Sequence, residues 1–402
     1  MPLWLRRLLL DARAPDLIML RGRRVVVVVA SSARGFRPLL ELKYCLVQTV
    51  PVLVLAARGA GTYTTRAETW KSMKAAYINQ TGTHDVITYG DLPTPKPTRR
   101  QCLIKVAAVD VNPIDVYVRN GAIPVKLAFP FILGRDVAGT VVEIGASVKD
   151  FKVGDRVWAT SQGADGRPGT FAEFAAVDYR WLHPIPEGVS DDDAVALSLV
   201  GVTAQLGLVR SANLKAGEVL FVNGGSGGVG SCVVQMAKIL GARVITTAGT
   251  DEKVAACRDL GADLAINYKT QDVTAAIKAF APDGVNVWWE TLREPDFDRT
   301  IALLAMRGRM ILMAGRDAHP PFPVGPFYVK DCSLHGFAMF NASAREQRAA
   351  ANAINRWLAE GKLRARIDRV LPLAQAAEAH RLQEESTVEK TGALAGKIVL
   401  KP

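Results

Sequence analysis

The chain has few of the side chains that build metal sites and disulfide frameworks. Among its 402 residues are five cysteines and five histidines. The number of cysteines is odd, their spacings are wide and no Cys-x-x-Cys pair occurs. This pattern argues against both a disulfide framework and a zinc knuckle. We therefore expect isolated thiols in a reducing compartment, and a cytoplasmic protein.

A long uninterrupted hydrophobic run is also missing. The longest apolar stretch, residues 44–57, contains Gln48 and Pro51, and it is shorter than the roughly 20 residues that cross a bilayer. Arginines recur after each apolar run near the N-terminus, whereas a secretory signal has one apolar core followed by a small-residue cleavage site. The sequence predicts neither a membrane span nor a secretory signal.

Positive charge is concentrated in a short part of the chain. The whole sequence carries 50 Lys and Arg against 39 Asp and Glu, a formal charge of +11. Residues 1–72 hold twelve basic and four acidic side chains, so +8 lies there. Residues 73–402 hold 38 and 35, which leaves only +3. A surface that binds nucleic acid is therefore not expected for the body of the protein.

Residues 1–72 differ in composition from the rest and allow three interpretations. The first is an extension upstream of the folded protein, which would then begin at Met73. The second is an organelle transit peptide, because such peptides are rich in arginine and poor in acidic residues. The third is a tail that binds an acidic partner or a membrane surface.

From Met73 the pattern becomes regular, first with short segments of β type. Their residues are apolar and β-branched, and clusters of glycine and proline separate them, which predicts a β-rich, partly closed barrel. The segments are residues 74–78, 87–88, 102–110, 138–144, 156–159 and 171–177.

After about Asp191, strands and helices alternate with short loops. This alternation indicates parallel βαβ units and a doubly wound sheet, so the fold class is α/β. Predicted strands cover residues 219–222, 244–247, 264–267, 285–289 and 310–313, and predicted helices cover residues 229–240, 251–260, 273–280 and 296–305. A helix over residues 346–360 and a strand over residues 397–400 follow.

A glycine cluster connects the first of these strands to the first helix. Gly225, Gly227 and Gly230 follow the spacing Gly-x-Gly-x-x-Gly. One glycine permits the tight turn, one lets the backbone approach a pyrophosphate, and one allows the helix and strand to pack closely. The helix N-terminus then offers free N–H groups to the phosphates. In this context the loop predicts a dinucleotide site.

The end of the second strand bears on the choice between NAD and NADP. An NAD site usually has an acidic residue there for the ribose 2′-hydroxyl, whereas this strand ends in residues 246–250 without one. Asp251 and Glu252 follow, in what we interpret as the first turn of a helix. Lys253 comes next and suits a 2′-phosphate, although a solvated helix lysine would give the same pattern.

Several motifs occur together in the order found in one enzyme family. They are residues 112–121, 153–157 and 169–174, and the loop 224–230 followed by Gln235 and Lys238. With them, residues 73–400 resemble the zinc-independent NADPH:quinone oxidoreductase (zeta-crystallin-like) branch of the medium-chain dehydrogenases/reductases. Members often begin with Met-Lys-Ala, as Met73 does here. The resemblance therefore favours the interpretation of residues 1–72 as an extension outside the fold.

The resemblance implies a GroES-like, β-rich catalytic domain interrupted by a Rossmann domain, with the cofactor in the cleft between them. The catalytic domain would comprise residues 73–195 and the completing segment 341–402, and the NADP-binding Rossmann domain would comprise residues 196–340. Relatives often pair the edges of their Rossmann sheets, so a homodimer is expected by analogy.

The resemblance also implies which residues bind NADPH. In NADPH-using members a lysine after the second strand and a tyrosine after the third hold the 2′-phosphate, and Lys253 and Tyr268 match those places. The other expected cofactor contacts lie in the glycine loop, at the end of the second strand and beyond a later strand: Gly225, Ser226, Gly227, Gly228, Val229, Gly230, Thr247 and Gly315.

The zinc ligands of metal-dependent relatives are not matched. Where those relatives have Cys, His and Cys, this chain has Asn112, Arg135 and Leu199. These side chains lack the thiolates and the imidazole that a catalytic zinc needs. No metal is therefore expected.

Without a metal, the acceptor itself must help to carry the charge of the incoming hydride. A quinone or an α,β-unsaturated carbonyl does this by conjugation, so positioned donors suffice. We expect the catalytic donors to be Asn112, Tyr117 and Arg119, with Arg135 as a further candidate. The expected activity is NADPH-dependent, metal-independent reduction of a small quinone or enone.

Two alternatives stay open. An enoyl thioester reductase would carry a catalytic tyrosine shortly after the Asn-Pro motif, where residues 121–123 are Gly-Ala-Ile. A non-catalytic NADPH-binding structural or adaptor protein is compatible with a departure after the fourth Rossmann strand. There the family commonly has a Val-Gly-Gly turn, and this chain has the bulky and charged residues 288–294. From them and from the distinctive loop 315–321 we expect a narrowed or reshaped acceptor pocket, which argues against activity with common quinones.

Overall fold

The structure, a computed structural model, describes four strands between residues 18 and 55, residues 72–389 and residues 391–402. The chain divides into two compact units, residues 1–69 and residues 70–402. The first unit contains β1 (Ile18–Gly22), β2 (Val25–Val29), β3 (Leu42–Val47) and β4 (Val50–Leu55), in the order β1-β2-β4-β3. That residues 1–72 lie outside the enzyme fold stays a prediction. The transit-peptide and tail interpretations fall largely on residues outside the described ones.

The second unit begins with a β-rich part. Its strands are β5 (Ser72–Ile78), β6 (Ile87–Pro93), β7 (Gln101–Val111), β8 (Phe131–Ile132), β9 (Val137–Ile144), β10 (Arg156–Ala159), β11 (Phe174–Asp178) and β12 (Leu182–Pro184), joined by β19 (Ile367–Pro372) and β20 (Lys397–Lys401) from the end of the chain. A seven-stranded sheet has the order β12-β10-β9-β7-β20-β19, with β11 also paired to β7, and a three-stranded sheet has the order β6-β5-β8. The C-terminal strands thus complete a sheet begun about 300 residues earlier.

A parallel sheet lies between these two stretches of sequence. Its strands are β13 (Val219–Val222), β14 (Arg243–Ala248), β15 (Leu264–Asn267), β16 (Val285–Glu290), β17 (Leu304–Leu312) and β18 (Ser333–Gly336). They have the order β15-β14-β13-β16-β17-β18, and every neighbouring pair is parallel. This is the order of the doubly wound dinucleotide-binding fold. The predicted combination of a β-rich part with a doubly wound parallel sheet is confirmed.

Helices flank the sheets and connect their strands. They are α1 (Pro113–Arg119), α2 (Asp191–Ala196), α3 (Ser198–Gln205), α4 (Gly228–Ile239), α5 (Asp251–Asp259), α6 (Val273–Phe280), α7 (Phe297–Leu303), α8 (Val324–Val329), α9 (Ala344–Ala359) and α10 (Ala376–Thr387). A π-helical segment covers Leu206–Ser211, and single 3-10 turns cover His84–Val86, Tyr179–Trp181, Met339–Asn341 and Leu373–Gln375. In the described part of the chain, no helix is both long and apolar enough to cross a membrane.

Both faces of the parallel sheet are buried, which decides where two tryptophans lie. Successive residues of a strand point to opposite faces. Trp288 therefore packs on Phe221 on one face, with ring centroids 4.0 Å apart, and Trp289 on Phe337 on the other, 6.3 Å apart. Both indoles are fully buried. The two indoles therefore fill the two cores that flank β16, and the expectation that residues 288–294 narrow or reshape the acceptor pocket stays a prediction.

Two buried histidines make the fold sensitive to acid. His183 lies against Trp158 and His380 against Phe171, with ring centroids 4.6 Å and 5.9 Å apart. Neither imidazole has a hydrogen-bond partner. Burial lowers the pKa of each to about 3, and the charges of Arg348 near His183 and of Arg119 near His380 act in the same direction. Both imidazoles are therefore neutral in the folded protein.

We expect the free energy of unfolding to fall as the pH drops from 6.5 towards 3. In this range the two histidines are protonated in the unfolded chain but stay neutral in the folded protein. The free energy of unfolding falls by about 2 kcal/mol per histidine at about pH 5, and this effect is absent above pH 6.5. Urea unfolding at about pH 7.5 and pH 5 measures it. His183→Gln and His380→Gln should each remove about one histidine's share of the difference. An unchanged pH dependence in both variants would contradict this expectation.

Candidate active site

The glycine loop follows β13 and is held by the neighbouring strand. Gly224 has a φ of +68°, which favours glycine, and its N–H donates to Oγ1 of Thr247 at 3.1 Å. The N–H of Gly225 donates to the carbonyl oxygen of Thr247, also at 3.1 Å. Thr247, expected to contact the cofactor, thus supports the loop from the end of β14.

The three motif glycines differ in what a side chain would meet. A Cβ on Gly225 would lie 2.2 Å from Oγ1 of Thr246, and one on Gly230 would lie 2.1 Å from the carbonyl oxygen of Gly224. A Cβ on Gly227 would meet no protein atom closer than 3.5 Å. Gly225 and Gly230 are therefore required by the packing of the chain. Gly227 leaves open a space that a phosphate can fill.

Helix α4 begins at this space without a capping side chain. Its N-cap is Gly227, which has no side chain to accept hydrogen bonds from the first turn. Other helices have such a cap: Ser190, Thr250, Asp272, Asp296 and Ser343 accept from backbone N–H groups. The first turn of α4 includes Gly228 and Val229, and Ser226 is buried just before it. Free N–H groups beside an open space fit the pyrophosphate of a dinucleotide.

Lys253 and Tyr268 flank the turn after β14. The Tyr268 side chain is half exposed, and a Cβ on Gly249 would lie 2.6 Å from its hydroxyl oxygen. Nζ of Lys253 donates to the carbonyl oxygens of Gly392 and, at 3.0 Å, Leu394. Partial burial lowers the pKa of Lys253. An ammonium has three hydrogens, so one of them is left for a phosphate beside the tyrosine.

Asn112 is fully buried in a polar network. Its Nδ2 donates to Oδ2 of Asp136 at 2.8 Å and to Oδ1 of Asp110 at 3.2 Å, and its Oδ1 accepts from Nζ of Lys397 at 2.5 Å. Its backbone N–H donates to Asp115 at 2.9 Å. The amide thereby ties β7 to β20. The expected role of Asn112 as a donor to substrate stays a prediction, and it requires one of these bonds to open.

The charges in this network are buried and mutually compensated. Nζ of Lys397 lies 2.9 Å from Oδ2 of Asp110. Burial, and then the neighbouring Asp110, raise the pKa of Asp136 well above its usual range. Burial raises the pKa of Asp115 to about 6 despite Arg135, which lies 3.3 Å away. The charged form of Asp136 is therefore disfavoured, while Lys397 lies against Asp110 and Arg135 against Asp115.

The network lies next to the glycine loop and includes the three residues that the resemblance places at the zinc-ligand positions of metal-dependent relatives. A Cβ on Gly228 would lie 3.3 Å from Cδ of Lys397. Asp136 also accepts a 3.4 Å bond from the backbone of Leu199, and Arg135 donates to two carbonyl oxygens at 3.2 Å. A guanidinium, an amide and an aliphatic side chain do not fit zinc. Within residues 72–389 and 391–402, no three His, Cys, Asp or Glu side chains are grouped to hold a metal.

Tyr117 contacts the loop that follows β16. Nη2 of Arg293 donates to the Tyr117 hydroxyl oxygen at 2.7 Å, and the guanidinium lies 5.7 Å from the centre of the phenol ring. Because the oxygen accepts this bond, the hydroxyl hydrogen points elsewhere. Tyr117 is half-buried. Its expected role as a donor to the acceptor stays a prediction.

Arg119 has a different environment from Tyr117. Its side chain is fully buried, and Nη2 lies 2.7 Å from Oε2 of Glu384 on α10. Tyr117 therefore contacts Arg293, whereas Arg119 lies in an ion pair between α1 and α10. A role for Arg119 beside the acceptor stays a prediction.

Hydrogen bonds to Glu290 stabilise the loop after β16. Its carboxylate accepts bonds from Nε1 of Trp288 at 3.1 Å, Nδ2 of Asn223 at 2.9 Å and the backbone N–H of Leu292 at 2.8 Å. Burial raises the pKa of Glu290. Gly315, expected at the cofactor, has a φ of +81°, and a Cβ there would lie 2.6 Å from the carbonyl oxygen of Arg293. Both residues therefore help to position Arg293.

The residues that the sequence interpretation missed are Asp110, Asp136, Lys397 and Arg293. Asp110 lies within the apolar pattern of β7 and Lys397 begins the apolar strand β20, so neither stands out as part of a site. Asp136 directly follows Arg135 in the sequence, but Arg135 pairs with Asp115. Arg293 lies in the segment that departs from the family pattern, and this departure is the signal that points to it.

Comparison with known proteins gives matches over most of the second unit. The family described as "Alcohol dehydrogenase GroES-like domain" matches residues 98–187, and that described as "Zinc-binding dehydrogenase" matches residues 228–356. A quinone oxidoreductase of Sus scrofa is 33% identical over 334 residues, which cover 82% of this chain and 98% of the relative. The chloroplastic NADPH-dependent alkenal/one oxidoreductase of Arabidopsis thaliana is 34% identical over 274 residues, 66% of this chain and 69% of the relative.

Among solved structures, mycobacterial Rv1454c complexed with NADPH is similar in fold. The TM-score is 0.72 and the identity 31%, and the match covers 82% of this chain and all of that chain. The donor atoms around Asp136 do not fit the zinc in the description of the second matching family, for the reason given above.

Proposed function

Because this chain belongs to the medium-chain dehydrogenases/reductases, in their zinc-independent quinone oxidoreductase branch, we propose that it reduces a quinone or an α,β-unsaturated carbonyl with NADPH. The chain is an oxidoreductase of an NAD(P)-binding family with a small-molecule substrate. The observation that carries the proposal is the open space at Gly227, in front of the uncapped N-terminus of α4. Bound there, NADPH supplies a hydride.

The choice of NADPH over NADH is supported by the charge at the end of β14. No acidic residue lies at the tip of that strand, and Lys253 and Tyr268 flank the turn that follows. A cation and a phenol suit a 2′-phosphate, whereas a carboxylate suits a free ribose hydroxyl. The Arabidopsis thaliana relative is NADPH-dependent and the mycobacterial neighbour was solved with NADPH, which agrees with this choice.

Tyr117 is the side chain best placed to assist the acceptor. Its hydroxyl oxygen accepts from Arg293, which leaves its hydrogen for the carbonyl oxygen of an acceptor. A donor aimed at the oxygen where charge develops stabilises the transition state. Asn112 would instead stabilise the buried polar network next to the glycine loop, together with Asp136 and Lys397, and would not contact the acceptor.

A homodimer through the parallel sheet is also part of the proposal. β18 is the edge strand of that sheet. Beside it, apolar side chains are exposed by 39% at Leu334, 63% at Val324 and 66% at both Tyr328 and Val329. An open strand edge with an exposed apolar surface is a place where a second copy can pair.

The proposed activity is tested by following NADPH oxidation with benzoquinone, menadione and an alkenone. We expect turnover of at least one acceptor, and a decrease in kcat of about 10-fold or more in Tyr117→Phe.

We expect Lys253→Met to raise the KM for NADPH about 10-fold while leaving the KM for NADH unchanged. Lys278→Met, which removes an exposed lysine of α6, is the matched control. Tight NADPH binding without turnover of any acceptor would favour the non-catalytic alternative and refute the proposal.

A further inference from the structure

Arg293 presents a positive charge at the proposed acceptor site, and no carboxylate of the described residues pairs with it. The groups that contact its guanidinium are neutral: the Tyr117 hydroxyl at 2.7 Å, the carbonyl oxygen of Val388 at 3.4 Å and the face of the phenol ring. Within residues 72–389 and 391–402, Arg293 forms no ion pair. Arg119 and Arg135, by contrast, each face a carboxylate, on Glu384 and Asp115.

The position of this guanidinium is fixed by the fold. Glu290 accepts from the N–H of Leu292 at 2.8 Å, and Thr291 donates to the carbonyl oxygen of Asn223 at 3.1 Å. Gly315 leaves room for the carbonyl of Arg293, where a Cβ would come within 2.6 Å. Arg293 is half-buried. These contacts connect it directly to the strand end that begins the glycine loop.

A half-buried cation without a counter-ion is costly in the free protein and stabilised by an anion that reaches it. Arginine suits a carboxylate in particular, because its planar group can donate two parallel hydrogen bonds. The cation lies beside the phenol that we expect to contact the acceptor oxygen. An acceptor with a carboxylate next to its reducible group can therefore contact both side chains at once.

We propose that Arg293 selects acceptors that carry a carboxylate close to the conjugated carbonyl. The inference rests on the proposed function and deepens it by naming a class of substrate. In the reaction, a hydride from NADPH adds to the β-carbon of the enone and a proton from water adds to the α-carbon, so the C=C bond is reduced while NADPH becomes NADP⁺ and the water is left as hydroxide. The carboxylate takes no part in this exchange and serves binding and orientation only.

The test compares acetylacrylate, a small enone with a carboxylate, with its methyl ester. The ester is the stronger electrophile, so intrinsic reactivity favours it, and a preference for the acid reports recognition of the charge. We expect kcat/KM for the acid to exceed that for the ester about 10-fold in the full-length enzyme. In Arg293→Gln the ratio should fall to about one or below, and in Arg293→Lys part of the preference should return.

Arg307→Gln is the matched control. It removes an arginine of β17 whose side chain is 84% exposed. It should keep the preference. Thermal unfolding of each variant shows whether it folds. For the unchanged enzyme, the acid preference should also decrease as salt is added, since salt screens charges that are accessible to solvent.

The outcomes separate this inference from the function on which it rests. Turnover of the ester and of quinones with no preference for the acid would overturn the role of Arg293 and leave the proposed function intact. An Arg293→Gln enzyme that binds NADPH more weakly but keeps the acid-to-ester ratio would also overturn it, because Arg293 would then serve the cofactor. Absence of turnover with every acceptor, including quinones, would overturn both proposals.

Discussion

Gly227→Ala is expected to weaken NADPH binding about 10- to 100-fold while leaving the thermal unfolding temperature within a few degrees of the unchanged protein. The added methyl group would lie no closer than 3.5 Å to any protein atom, so the fold accommodates it. The same methyl would occupy the space in front of the first N–H groups of α4, where the phosphates are expected. Titration of NADPH and a thermal melt measure the two effects separately.

Gly230→Ala should behave differently, because its methyl group would come within 2.1 Å of the carbonyl oxygen of Gly224. Backbone must move to relieve this overlap, at a cost of about 1–3 kcal/mol or more. We therefore expect both the melting temperature and NADPH binding to fall. Gly325→Ala, where nothing lies within 4 Å of the added Cβ, is the control for a glycine substitution in a helix. If Gly227→Ala lowers the melting temperature as much as Gly230→Ala, the distinction between ligand space and packing is wrong.

Lys397→Met is expected to lower the free energy of unfolding by about 3–5 kcal/mol. Nζ of Lys397 contacts Oδ2 of Asp110, Oδ1 of Asn112 and the carbonyl oxygen of Val111, all of them buried. Removing the ammonium leaves a buried carboxylate without its partner and frees an acceptor of the amide. An unpaired buried charge costs far more than the ion pair itself contributes.

A second lysine of the same strand provides the control. Lys401 forms an ion pair with Asp192, but the two side chains are 39% and 31% exposed. Lys401→Met should therefore cost only about 0–1 kcal/mol. Adding Asp110→Asn to Lys397→Met removes the orphaned charge and should recover part of the loss. Urea unfolding of the four proteins measures these differences, and equal losses for the two lysine variants would show that burial does not set the cost.

Features that depend on residues close together along the chain could be predicted from the sequence. The glycine loop combines a strand, a turn and a helix within a few residues, so its spacing alone indicated a dinucleotide site. The strands of the parallel sheet were also predicted, because strands buried on both faces are short continuous apolar runs, and the helices between them were predicted from the alternation of such runs with longer segments. Short elements with weak patterns were missed, among them α2, α3, α10 and β18, which form through packing against distant parts of the chain.

The roles of single polar side chains were decided by the tertiary structure. In sequence Asn112 matched a donor position, yet Lys397 reaches it from 285 residues away and Asp136 from 24. Trp288 and Trp289 belong to the segment that is expected to narrow or reshape the acceptor pocket, and the folded chain buries both indoles in the sheet's two cores. The sequence by itself determined the family, the fold class and the cofactor loop. Only the folded chain could show which polar groups compensate one another, since charges interact through space and not along the sequence.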